Sequence, residues 1–249
     1  MFLVDLTKNN DRHWLKMNDL DYRQSLHDFN SFLECLTQKI IKADETIPEL
    51  PVKDIIFRIY RDVRFSKDPT PYKTHFSAAW SRTGRKGPYA GYYLHVQPGK
   101  CFVGSGVWLP EADKLAALRR DVDRKPHRLK NVLLQERIRS EILTVNSADE
   151  KKVVRTFVSQ GMNKESALRT KPKGYENDHE NIELLRLRNF TISKKLADKE
   201  VLGDKALERI SFLISCMVPF VTYLNSIIMP DDPEESSSED EDEVEDEGT

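Results

Sequence analysis

GYYLHVQPGKCFVGSGVW, residues 91–108, reads as two strands and a turn. Gly91 to Gln97 and Cys101 to Trp108 are rich in aromatic and β-branched residues, and Pro98-Gly99 between them is a turn pair. Gly104 and Gly106 interrupt the second strand, which implies a bulge or a close backbone approach. Three helical patterns follow the hairpin, at about 111–123, 126–143 and 148–160. Pro126 stands near the start of the second and Gly161 closes the third.

Before the hairpin, Leu26, Phe29, Leu33, Leu36 and Ile40 make one stripe of a helix over 19–42, with Asn18 or Asp19 as its cap. Ile55 to Phe65 alternates: Ile55, Phe57, Ile59, Val63 and Phe65 on one side, Ile56, Arg58, Tyr60, Asp62 and Arg64 on the other. That predicts a strand, with Arg61 interrupting its apolar face. Pro69 and Pro71 make 66–73 a loop, and the Gly-, Arg- and Lys-rich 81–90 is another. Residues 171–175 form a third loop, and 181–188 is short and ambiguous.

Ile210 to Met229 carries no charge but contains Ser211, Ser215, Pro219, Thr222, Asn225 and Ser226. Leu207, Ile210, Ile214, Met217, Val221, Leu224 and Ile228 recur at steps of three and four. This is a core helix kinked near Pro219 rather than a membrane span. With strands gathered in a hairpin and helices on either side, the fold class is α+β with an antiparallel sheet. Residues 1–229 make a single domain and 230–249 a disordered acidic tail.

The net charge of −2 conceals two opposite parts. Twelve acids lie between Asp231 and Glu247, with no Lys or Arg there. Removing them from the chain's 41 leaves 29 acids against 39 bases, so the body is about +10. A positive body favours anionic partners: a small phosphorylated or carboxylated ligand, nucleic acid, an acidic protein for which it acts as an adaptor, or its own tail. The tail in turn suits a basic protein or serves solubility. Ser236, Ser237 and Ser238 each precede an acid by three residues and suit an acidophilic kinase.

Cys35, Cys101 and Cys216 are odd in number and share no C-x-x-C spacing, which points to a reducing compartment, cytoplasmic or nuclear. The N-terminal residues lack the basic and apolar blocks of a signal peptide. No cofactor fingerprint occurs, and Gly104-Ser105-Gly106 fits neither a phosphate loop nor a nucleophile elbow. No spacing suggests a metal. His75, His95 and His179 read as structural or surface residues rather than catalytic ones, and no catalytic set can be named.

The chemistry-bearing cluster is therefore basic. Arg58, Arg61, Arg64, Lys67, Tyr72 and Lys73, with Lys171 and Lys173 from the later loop, make the expected ligand-binding set. Arg82, Arg85 and Lys86 extend the first basic segment. The competing reading is an ion-pair ladder in which Asp62 bridges Arg58 and Arg64. The binding reading requires 58–73 and 171–175 to line one hollow.

IFRIYRDVRFSKDPTPYKTHF (56–76), GYYLHVQPGKCFVGSGVWLP (91–110) and LRTKPKGYENDHENIELLRLRNF (168–190) together resemble a widespread family called domain of unknown function 2461. LVDLTKNNDRHWLKMNDLDY (3–22) and PFVTYLNSII (219–228) resemble it too. The chain begins almost inside that family's first helix. Pro69 stands where the family typically has lysine, and the acidic tail lies outside the shared region. The resemblance implies one domain and brings no activity with it.

Overall fold

The structure is a computed structural model, and it describes residues 1–64 and 66–230. The expected tail, Pro230 apart, lies outside the described residues, as does Phe65.

The hairpin is the centre of a four-stranded antiparallel sheet in the order β1-β2-β3-β4. These strands are Phe76–Trp80, Gly91–Val96, Phe102–Val107 and Phe190–Lys195. The turn between β2 and β3 is held from outside, where the Asp198 carboxylate accepts from the Gly99 N–H at 2.9 and 3.0 Å. Alternation then divides the sheet into two faces. Phe76, Ala78, Trp80, Tyr92, Leu94, Val103, Val107, Phe190 and Ile192 are all buried on one of them.

Two long helices cover that face, α3 (Asp19–Ala43) and α11 (Ala206–Ile228). Helix α11 lies across β3 and β2 and also packs on α3. Phe29 of α3 stacks on Phe76 at 5.3 Å between centroids. Trp80 Nε1 donates to Thr37 Oγ1 (2.8 Å), and Tyr92 OH to the Asp44 carboxylate (2.6 Å). The polar tips of these two rings thus both have a partner, as burial demands. Helix α11 alone among the described residues is long and apolar enough to cross a membrane, yet its stripe from Ile210 to Ile228 is buried against the sheet and α3. It is the core helix expected, with Pro219 inside it.

The remaining helices frame this sandwich. They are α1 (Phe2–Lys8), α2 (Arg12–Met17), α4 (Val52–Ile55), α5 (Ala112–Arg124), α6 (Pro126–Leu134), α7 (Glu150–Ser159), α8 (Gly161–Ser166), α9 (Ile182–Leu185) and α10 (Asp198–Val201). The helix expected over 126–143 breaks after Leu134 and resumes as a π-helical turn, Ile138–Ile142. Leu133 and Ile138 are both buried, five residues apart; an unbroken α-helix would rotate one of them off the buried stripe.

The strand expected over 55–65 is a correction. Pro51 starts the helical turn Val52–Ile55, and beyond it the described residues of the segment make only the isolated bridges Ile56↔Ala78 and Tyr60↔Tyr72. Ile55 and Ile59 are buried, so the apolar alternation is real. What is absent is a continuous partner: the returning segment contains Pro69 and Pro71, which lack N–H donors.

The outer edge of β4 is capped by side chains. Asn163 donates to Thr191 O (2.8 Å) and accepts from Thr191 N (3.1 Å) and Oγ1 (2.8 Å). Gln160 pairs the same way with the Ser193 N–H and carbonyl, at 2.9 and 3.2 Å. The two amides act as a surrogate strand and blunt the edge.

Candidate functional site

The second face of the sheet carries a hollow of about 460 Å³. The register explains it. Across the strands the residues on this face run Ser77–His95–Phe102, then Ala79–Tyr93–Gly104–Ser193, then Gly91–Gly106–Thr191. Small residues form the floor. At Gly106, whose φ is +122°, a Cβ would lie 2.1 Å from the Phe190 carbonyl oxygen, and at Gly91 equally close to that of Trp80. Glycine is required there by the backbone, and the missing side chains leave the space.

The walls are aromatic: Phe57, Tyr89, Tyr93, Phe102 and Trp108. Trp108 is 66% exposed, unusual for so large an apolar group. At one end the rings pack together. His95 stacks on Phe102 (4.9 Å) and lies 4.1 Å from His75, centroid to centroid. His95 Nδ1 is 3.3 Å from Tyr93 OH and its Nε2 is 3.1 Å from Gln97 Oε1. Burial, reinforced by His95 and Lys73, holds the His75 pKa down at about 4. Burial also lowers His95, against the opposing pull of Gln97. Both imidazoles are therefore neutral at pH 7.

Lys73, Arg85 and Lys86 complete the lining, to which no carboxylate of the described residues contributes. A second hollow of about 760 Å³ adjoins the first along the β1 edge and shares Phe57, Lys73, Arg85 and Lys86 with it. Lys53 and Arg58 also line this one, again without an acid. Among the described residues none of these five cations has a carboxylate within 4.0 Å. Arg85 instead donates to the Lys53 carbonyl. Lys73 lies 5.5 Å over the Phe57 ring, and burial followed by repulsion from Arg58 lowers its pKa.

The residues expected to bind a ligand are divided by this arrangement. Lys73 lines both hollows and Arg58 the second. Arg61 turns into its own loop, to Asp68 and Thr70, which with the Thr70 backbone N–H hold Asp68 down at about 2. Arg64 pairs with Asp62 at 2.7 Å, so half of the expected ladder is present. Tyr72 is buried; its backbone N–H and carbonyl are held by Asn10, and its ring packs edge-on to Tyr60. Lys67 is exposed on the proline loop. Lys171 pairs with Glu176 at 2.6 Å. That loop leads to Tyr175 and His179, whose Nε2 is 3.0 Å from Asp123 near the end of α5. Among the described residues neither Lys171 nor Lys173 lines a hollow with Lys73.

The residues not singled out in the sequence are Tyr93, Phe102 and Trp108, while His75 and His95, read there as structural, border the same hollow. Their signal was the alternation of the hairpin: Tyr93 and His95, then Phe102, Gly104 and Gly106, share the face opposite Tyr92, Leu94 and Val103. Among the described residues no group of three or more His, Cys, Asp or Glu side chains could hold a metal.

Fold and site together define an α+β protein with an aromatic, cation-rimmed hollow on the second face of its sheet. A family model described as a conserved hypothetical protein, DUF2461, matches residues 1–223, and the chain belongs to that family. Searches of curated proteins and of solved structures gave no match.

Proposed function

We propose that the chain binds a small organic anion, with its flat apolar body over the glycine floor and its phosphate or carboxylate at Lys73, Arg85 and Lys86. The observation that carries this reading is a hollow of about 460 Å³ to which, among the described residues, three cations and no acid contribute. The volume falls within the usual range for small-molecule sites, roughly 300–1,000 Å³. Apolar walls with a few convergent polar groups are the usual composition of such sites. Lysine and arginine offer charge-assisted hydrogen bonds to phosphate or carboxylate oxygens. The neutral imidazole of His75 stands at the same wall and can accept a hydrogen bond from a ligand.

The three cysteines are free thiols, which supports a reducing location, cytoplasmic or nuclear. The test is a titration with inorganic phosphate, benzoate, phenyl phosphate and 1-naphthyl phosphate, followed by tryptophan fluorescence, since the exposed Trp108 lines the hollow. Aromatic phosphates should quench and bind most tightly. Equal, weak binding of all four would contradict the reading. Ala79→Phe, which places a ring on the floor, should abolish binding of 1-naphthyl phosphate while the fold survives.

A further inference from the structure

We infer that the acidic C-terminal segment, Asp231 to Glu247, docks in this same chain onto the cations shared by the two hollows and competes there with the ligand. The inference rests on the cationic rim that the proposed ligand also uses. Three observations converge on it. Lys53, Arg58, Lys73, Arg85 and Lys86 form a band along the β1 edge whose members have no carboxylate within 4.0 Å among the described residues. The segment carries twelve acids and no base, so its charge is complementary. Its point of departure is tied to the end of the 81–90 loop, which carries two of the band's cations.

That last point follows from Asn225. Its side chain accepts from the Ala90 N–H at 2.9 Å and donates to the Ala90 carbonyl at 3.3 Å. This ties the last turn of α11 to the residue that follows Tyr89 in the 81–90 loop. Arg85 and Lys86 stand on that same loop. Helix α11 ends at Ile228, and the acids begin at Asp231. Five extended residues, 229–233, reach about 17 Å. That exceeds the spacing between packed sheet layers, about 10 Å. A tether this short holds the acids at millimolar effective concentration over the band.

The test uses the full chain and a full-length variant whose twelve tail acids are changed to Asn or Gln. Carbodiimide treatment at low ionic strength joins a carboxylate to a lysine ammonium in contact with it, with loss of water. Tail cross-links are expected to Lys53, Lys73 and Lys86 within the monomer, and to disappear at about 1 M salt, where charges are screened beyond about 3 Å. Cross-links confined to dimers, or equally frequent at Lys151 and Lys199 outside the band, would overturn the docking. In the second arm, the neutralised tail should tighten 1-naphthyl phosphate binding at least 5-fold at low salt. Binding that is equal in both chains would overturn the competition and leave the ligand reading standing. Band-specific cross-links with no ligand bound by either chain would uphold the docking and sink the ligand reading instead.

Discussion

His75 is half-buried beside another imidazole and an ammonium, and it carries a stability consequence. Its folded pKa, about 4, lies below the usual 6.5, so between those values the unfolded chain binds the extra proton. Stability is therefore full above pH 6.5 and falls as the pH drops towards 4. With allowance for partial exposure the loss is on the order of 1–3 kcal/mol. His75→Gln should flatten the decline in urea midpoint between pH 7 and 4.5; an unchanged slope would show that other groups set it. Gly106 is a second residue with a sharp expectation. A Cβ there meets the Phe190 carbonyl at 2.1 Å with φ at +122°. Gly106→Ala should cost about 2–3 kcal/mol in chemical denaturation, through backbone strain and opening of the β3–β4 pairing.

Among the elements, β4 depends on its side-chain edge. Asn163 is fully buried and satisfies three groups of Thr191. Asn163→Ala leaves the Thr191 N–H and carbonyl without those partners, at about 1–3 kcal/mol for a buried polar group left unsatisfied. Hydrogen exchange of the Thr191 amide should accelerate more than that of Tyr92 in the central strand; equal acceleration would mean global loosening. The same element shows what was readable beforehand. The hairpin and the two long helices announce themselves by local period: the turn pair at Pro98-Gly99, and the stripes Leu26 to Ile40 and Leu207 to Ile228. Strand β1 is only FSAAW, with few β-formers, and β4 is short with a polar outer face, so neither stands out. Ile55 to Phe65 has the right alternation and no continuous partner, which alternation alone does not reveal. The basic segment was legible as charge, but its division was not. Whether Arg61 turns to Asp68 or Lys73 turns to the hollow depends on tertiary placement. The floor was hidden for a related reason: Gly104 meets Ser193 across nearly ninety residues of chain, and the space comes from side chains that are absent.

At the scale of the whole molecule, one face of the sheet is sealed by α3 and α11 and the other carries a hollow to which, among the described residues, cations but no carboxylates contribute. The same geometry makes binding depend on salt, since the cations reach solvent and are screened over about 10 Å at 0.1 M. Lys73 is the cation common to both hollows and to the basic segment of the sequence. Losing one charge-assisted contact of about 1.5 kcal/mol weakens binding about 10-fold. The direct measurement is a calorimetric titration of 1-naphthyl phosphate into the full chain, the tail-neutralised chain and the Lys73→Gln variants of both. The expected result is saturable one-to-one binding that Lys73→Gln weakens about 10-fold while leaving the melting temperature of the unliganded protein nearly unchanged. Absence of binding in both parent chains, or affinity indifferent to Lys73, would contradict an anion site on the open face of the sheet.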